Sequence, residues 1–341
     1  DATFEVSDSA QAMADALSGN ASALNEADGV TVSGGSVDVS EAISIQNITG
    51  YSAVASSYDI VDTASALALA GNTEIGNAGV GEVIASDTAT ASEGAAINAL
   101  TGDATFEVSD SAQAMADALS GNASALNEAD GVTVSGGSVD VSEAISIQNI
   151  TGYSAVASSY DIVDTASALA LAGNTEIGNA GVGEVIASNI ATASQGKAIN
   201  ALTGDATFDV SDSAQAIIAL TGDARTVLDE VDSITVVGGS ASVSEAIELQ
   251  GITGYQAASS YDIVDGASEI VDASSAVLNH DGVTSVNVVS DVDSVLGVIG
   301  QGLADVSDTV TVSGGSASVS EATQLQGITG YQDAASSYDI V

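Results

Sequence analysis

The strongest constraint on the fold is internal repetition. Residues 1–102 and 103–204 are the same sequence except at four positions: Asp87 becomes Asn189, Thr88 becomes Ile190, Glu93 becomes Gln195 and Ala95 becomes Lys197. A third block, from Asp205, keeps the pattern and diverges in detail. Within each block smaller units open at Phe4, Val30, Tyr58 and Glu82, an average of about 25 residues, the size of one strand-plus-helix turn in a solenoid. Continuing the beat places strands near Phe106, Val132, Tyr160, Glu184, Phe208, Ile234, Tyr261, Val286, Val310 and Tyr338, about fourteen in all. Near-identical neighbours show that copy number changed as a unit, which suits a protein whose useful property is length.

Each unit reads as a short strand followed by an Ala-rich helix. Phe4 and Val6 face one way and Glu5 the other; Tyr58 and Ile60 oppose Asp59; Val30 and Val32 flank Thr31. The runs end at Gly34-Gly35, read as turn glycines, or at Asp. Asp8 and Asp62 stand where a helix N-cap belongs. Capping boxes stand at Asp38–Glu41, Ser242–Glu245, Ser318–Glu321 and Thr90–Glu93. Gly50, Gly102 and Gly254 are expected to end helices in the left-handed conformation. Ala10, Ala12, Ala14 and Ala16 offer a small-residue helix face. Phe4, Tyr58, Phe106, Tyr160, Phe208, Tyr261 and Tyr338 recur at one strand position and predict a stack of buried rings. Tyr51, Tyr153, Tyr255 and Tyr331 are expected to lie over a helix terminus. Strand, helix, strand with short links implies parallel strands joined by right-handed crossovers. The expected fold is therefore an α/β right-handed solenoid of about 13 strand–helix turns with a parallel sheet, continuous over 1–341. A row of separate compact domains is the alternative; with no Pro and no Gly/Ser tract, no linker supports it.

Composition narrows the partners. The chain carries 2 basic and 47 acidic residues, a formal charge of −45, and no Cys, Pro or Trp. Hydrophobic residues make up 45 %, enough for a core and unlike a disordered acidic tail. With only Lys197 and Arg225 to meet phosphates, nucleic acid is excluded as a partner. No run is long enough for a membrane span. Such a charge calls for solvent cations or high salt. Acidity, scarce Lys and Arg, and repetition fit an exported protein at the cell surface. The chain begins at Asp1 in mid-repeat and is expected to be part of something longer.

The acidic residues are the main candidates for chemistry. Asp8, Asp62, Asp110, Asp164, Asp212 and Asp265 follow strands, where oxygen-rich turns suit calcium; helix capping accounts for the same residues without a metal. Neither an Asp-x-Asp-x-Asp-Gly loop nor the Gly-Gly-x-Gly-x-Asp nonapeptide is present. No cofactor is required by the sequence, and calcium is the one it offers. The outward residues Glu5, Thr31 and Asp59, with Glu107, Thr133, Asp161 and then Asp209, Thr235, Asp262, place carboxylates two strands apart, roughly 9.6 Å, too far for one ion to bridge directly. Paired carboxylates also serve glycosidases, but these recur in every block, whereas an active site occurs once. The least repetitive segment, Val271–Asp308, is where a unique cluster would stand. His280 lies in the turn-like Asn279-His280-Asp281-Gly282 and reads as solvent-facing. With one His and no Cys, zinc sites and activated Ser or Cys nucleophiles find no support. Asn47-Ile48-Thr49 and Asn20-Ala21-Ser22, with copies at Asn149 and Asn122, match the N-glycosylation pattern; duplication makes these two independent matches, the third block has Gly251 in place of the first, and chance is the favoured reading.

The Tyr-x-Ile-x-Asp-Thr-Ala-x-x-Leu string at Tyr58, alternating with Val-Thr-Val-x-Gly-Gly and Val-x-Glu-Ala, resembles repeats in very long secreted bacterial surface proteins, nearest to adhesin-like proteins exported by type I secretion. The resemblance covers nearly the whole chain. It implies an extracellular place, calcium dependence and a role in adhesion or a surface layer. The expected function is non-catalytic: a fibre, stalk or surface-layer component whose ends stack on further copies. A calcium- or glycan-binding adhesin module is the second expectation and a polysaccharide-active enzyme the third.

Overall fold

The computed structural model describes residues 3–70, 75, 79–100, 103–172, 177, 181–202, 205–220 and 231–341. Strands and helices alternate through them. The strands are β1 (Glu5–Asp8), β2 (Gly29–Val37), β3 (Ser57–Asp62), β4 (Val80–Ala85), β5 (Asp103–Thr105), β6 (Glu107–Asp110), β7 (Gly131–Val139), β8 (Ser159–Asp164), β9 (Val182–Ala187), β10 (Asp205–Thr207), β11 (Asp209–Asp212), β12 (Ser233–Ala241), β13 (Ser260–Asp265), β14 (Val283–Ser290), β15 (Thr309–Ala317) and β16 (Ser337–Ile340). They form three sheets, β1–β5, β6–β10 and β11–β16, with sequence neighbours adjacent. The pairing is parallel, as between β1 and β2 or β13 and β14. Parallel neighbours need a crossover, and a helix supplies it: Val39–Gln46 lies between β2 and β3, Val243–Gln250 between β12 and β13. The architecture is thus α/β, a solenoid-like repeat with parallel sheets.

All fourteen expected strand positions fall in or directly beside a strand. At Phe106 the strand divides: Asp103–Thr105 pairs with β4 and Glu107–Asp110 with β7. Two such divisions, at Phe106 and Phe208, raise the number of described strands to sixteen.

By its internal contacts the chain forms two compact units, Asp1–Val163 with Thr175–Glu184, and Asp164–Asn174 with Val185–Val341. In the first, Val30, Val32, Tyr58 and Ile60 from the strands meet Ala42, Ile45 and Leu67 from the helices, all at most 1 % exposed. In the second, Ile234, Val236, Tyr261 and Ile263 meet Ala246, Leu249 and Ile270 in the same way. The period-two strand pattern and the three-to-four helix spacing of these residues direct them to one core.

Several expectations need correction. Gly34 and Gly35 do not end a strand. They sit inside β2 in the left-handed region, at φ +79° and +83°. The first half of β2 pairs with β1 (Val30 with Val6), the second with β3 (Val37 with Ile60), and the register shifts between Ser33 and Ser36. The glycine pair is a bulge that passes the strand from one neighbour to the next, a conformation that L side chains resist. Gly50 and Gly254 are left-handed as expected, but their helices stop earlier, at Gln46 and Gln250, with Asn47 and Gly251 as C-caps; Gly102 lies outside the described residues. The first helix buries Ala10, Met13 and Ala14 and exposes Ala16, since a helix face repeats every three or four residues, not every two.

The rings of Tyr58, Phe106, Tyr160, Phe208 and Tyr261 are buried, while Phe4 is 41 % exposed. They do not stack: the one ring contact among the described residues is Tyr255 on His280. Aromatic strands alternate with aliphatic ones, so the rings are separated by about two strand spacings, roughly 9.6 Å. The backbone at Tyr51, Tyr153, Tyr255 and Tyr331 forms parallel bridges to Val30, Val132, Ile234 and Val310.

Candidate cation sites along the strand ends

The six candidate calcium ligands all lie at the C-terminal end of a strand, and their surroundings are backbone amides. Asp62 Oδ1 accepts the Thr63 N–H at 2.7 Å. Its Oδ2 accepts the N–H of Val39, the first helical residue of the turn before, at 3.1 Å. Asp110 repeats the pair with Ser111 (2.8 Å) and Ala91 (3.0 Å). Asp212 does so with Ser213 (2.8 Å) and Ala193 (3.1 Å), and Asp265 with Gly266 (2.8 Å) and Val243 (2.9 Å). Asp8 accepts from Ser9 and Asp164 from Thr165.

Asp8 and Asp62 are therefore not the N-caps of their own helices. The cap is the next residue: Ser9 and Ser111 accept the Ala12 and Ala114 N–H groups, and Thr63 accepts that of Ala66. The carboxylate one position earlier caps the neighbouring turn. A helix start leaves its first N–H groups without intrahelical partners; here two acceptors from successive turns share them. The capping boxes form as the sequence indicates, at Asp38, Thr90, Ser242 and Ser318.

Other acidic residues do comparable work at the strand starts. Asp28 donates its N–H to Phe4 O at 2.9 Å and accepts the Phe4 N–H on Oδ2 at 2.8 Å. Asp130 makes the same two bonds to Phe106, and Asp308 to Val286. Asp59 and Asp161 accept the N–H groups of Glu82 and Glu184, 23 residues on. Among the described residues, no three or more His, Asp or Glu side chains come together in a group able to hold a metal ion.

Two further contacts recur. Ser56, Ser158 and Ser259 are buried, and each Oγ accepts a strand N–H, from Val32, Val134 and Val236, at 3.0 Å. The Ser-Ser-Tyr triplet at Ser56, Ser158 and Ser259 was the available signal. Gln46, Gln148 and Gln250 donate Nε2–H to the hydroxyls of Tyr58, Tyr160 and Tyr261 at 2.8–2.9 Å. Burial pushes the Tyr261 hydroxyl up to about 12, and raises Tyr160 and Tyr51 as well.

Val271–Asp308 departs from the repeat in structure also. It holds a cleft of about 540 Å³ walled by His280, Asp281, Ser285, Asp305 and Asp308, among others. His280 is half-buried rather than solvent-facing. Its ring stands edge-on to Tyr255, centroids 5.3 Å apart, and Nδ1 lies 2.8 Å from Asp281 O. The Tyr255 hydroxyl donates to the same carbonyl at 3.2 Å.

No family model matches the sequence. No curated protein matches it either. Among solved structures it is similar to the Arabidopsis receptor kinase HAESA in complex with the peptide hormone IDA and the co-receptor SERK1, at 9 % identity over 92 % of this chain and 65 % of that one, TM-score 0.18. It is likewise similar to the HAESA LRR ectodomain with an N-terminally extended IDA peptide, at 9 % identity over 92 % and 66 %, TM-score 0.20. The chain thus spans just under two thirds of the length of each. Scores this low carry no argument about fold or function.

Proposed function

We propose that the chain is a non-catalytic structural component of an extracellular fibre, stalk or surface layer, folded as one right-handed solenoid of about 13 turns of about 25 residues. The observation that carries this reading is the ladder of carboxylate-to-amide bonds. Acidic side chains accept N–H groups of an adjoining turn, in the same manner at Asp62, Asp110, Asp212 and Asp265. A side chain used this way at turn after turn serves continuity. Right-handedness follows the general rule for parallel strand–helix–strand crossovers.

Further copies are the expected partners. β13 accepts β14 as its neighbour with Ile263 opposite Val286 and Asp265 opposite Val288. β16 carries the same Tyr-Asp-Ile as β13, so the β1 strand of another copy laid on β16 would repeat that register. Electron microscopy tests the reading. Rods whose length grows with the number of 102-residue blocks are expected; isodiametric particles at every block number would refute it.

The cleft at Val271–Asp308 favours a second reading, an adhesin module that takes a cation or glycan there. Calorimetric titration with calcium and with oligosaccharides separates the two: tight, stoichiometric heats abolished by Asp305→Ala would favour the module. A polysaccharide-active enzyme would use the same cleft, and hydrolysis lost with Asp281→Asn or Asp305→Asn would establish it.

A further inference from the structure

We propose that Asn47 and Asn149, and with them Asn20 and Asn122, are acceptors for N-linked oligosaccharide. The inference rests on the extracellular reading, since the activated donor is used on exported chains. The four Asn-x-Ser/Thr sites are the only ones in the sequence, and all fall in the first compact unit. All four asparagines are exposed, as are Thr49, Ser22, Ser124 and Thr151, so acceptor and hydroxyl are accessible together.

The fold does not ask for asparagine at 47 and 149. Each is the C-cap of a Glu-Ala-Ile helix, at φ −86°, ψ 0° and φ −85°, ψ −2°. In the two later helices of the same class Gly251 and Gly327 hold that place at φ −90°, ψ −2° and φ −82°, ψ −5°. The backbone is the same with no side chain. Elsewhere the fold does use asparagine: Asn25 accepts the Thr49 N–H, and Asn98 that of Glu128. At the other pair of sites the polar partner comes from the motif itself. Ser22 Oγ donates to Asn20 Oδ1 at 2.7 Å, and Ser124 Oγ to Asn122 Oδ1 at 3.0 Å. That contact forms although Asn20 sits at a break within a helix and Asn122 follows one.

The transfer is a substitution at an anomeric carbon. With an oligosaccharide carried on a polyprenyl pyrophosphate as donor, the Asn Nδ2 forms the bond to C1 as the C1–O bond to pyrophosphate breaks. The pyrophosphate leaves with the bonding pair, and one Nδ2 proton passes to a base of the transferase. A bulky polar chain at these turns would add solubility.

The test is peptide mapping by mass spectrometry of the exported protein from its source organism, cut with a protease specific for Asp and Glu because Lys and Arg are so few. Glycopeptides containing Asn47 and Asn149 are expected. They should vanish in Thr49→Ala/Thr151→Ala and in Asn47→Gly/Asn149→Gly, whose folding the precedent of Gly251 supports. Unmodified asparagine at all four positions in the exported protein would overturn the proposal. Microscopy of the same preparation keeps the two readings apart: rods without glycan sink this inference alone, and glycan without rods sinks the fibre alone.

Discussion

Asn189 Oδ1 accepts the N–H of Ala166 at 2.8 Å. In the preceding block Asp87 Oδ1 accepts the N–H of Ala64 at 2.7 Å. The contact survives the loss of the charge, because an amide oxygen and a carboxylate oxygen both accept. Glu93 and Gln195 make the same point in the capping boxes, accepting the Thr90 and Thr192 N–H groups at 2.9 Å each. Two of the four differences between the blocks thus exchange an acid for its amide where the side chain serves as a hydrogen-bond acceptor.

It follows that Asp87→Asn should be close to neutral, or slightly stabilising through relief of like charge. Asp87→Ala should cost about 1 kcal/mol, since it leaves the buried Ala64 without its N–H partner. Asn189→Ala should cost the same. Asp62→Asn should fall between these limits, because both oxygens of Asp62 accept an N–H and an amide replaces only one of them. Denaturant midpoints with constant m-values measure all four. A large loss in Asp87→Asn would show that charge, not acceptance, is what matters.

Gly94 sits in the helix Ala91–Asn98 where a Cβ would meet Val108 Cγ2 at 2.7 Å, Leu126 Cδ2 at 3.2 Å and Phe106 Cε2 at 3.3 Å. Alanine normally favours a helix by about 1 kcal/mol over glycine, but overpacking costs roughly 1–3 kcal/mol. Gly94→Ala should therefore destabilise, with hydrogen exchange quickening at Val108 in the next turn. Stabilisation by the full helix propensity would show that the two turns can separate.

These residues mark what was legible in the sequence. Strand positions such as Tyr58 and Val30 were readable because alternation and β-branching are local, and the capping box at Asp38 because its partners are three residues apart. Asp62 was placed one step out because its second partner, Val39 N–H, lies 23 residues back, where no local pattern records it. The role of Ser56 is hidden for the same reason: its donor is Val32, across a turn. Gly34-Gly35 looked like a stop because a bulge and a turn use the same glycine chemistry. The cleft beside His280 was unreadable in shape, although the loss of repetition pointed to its segment.

Alkaline pH should unfold the chain through its buried tyrosines. An unfolded tyrosine ionises near 10, whereas Tyr261 is pushed up to about 12 by burial, and Tyr160 and Tyr51 are raised too. A folded value above the unfolded one means that the contribution is complete below pH 10 and is lost as pH rises through about 12. Tyr261→Phe should lower stability at neutral pH by about 1 kcal/mol, as the Gln250 contact is lost, and flatten the alkaline decline. On the acid side the Glu143 N–H holds Asp140 below its usual range. That contribution is present above the ordinary carboxylate value and is lost as pH falls through the lowered one. Urea midpoints from pH 3 to 12 give both limbs.

Salt should stabilise the chain, and the identity of the divalent ion decides between capping and calcium binding. The formal charge of −45 opposes any compact state, and the Debye length falls from about 10 Å at 0.1 M to 3 Å at 1 M. Sodium chloride should therefore raise the melting temperature progressively, without saturation at a fixed stoichiometry. Since Asp62, Asp110, Asp212 and Asp265 already accept two N–H groups each, a cation would have to compete with both. Calcium and magnesium at equal ionic strength should then shift the melting temperature alike. A calcium-specific shift that saturates, and that is abolished by Asp62→Asn together with Asp164→Asn, would reassign the strand-end carboxylates from capping to metal.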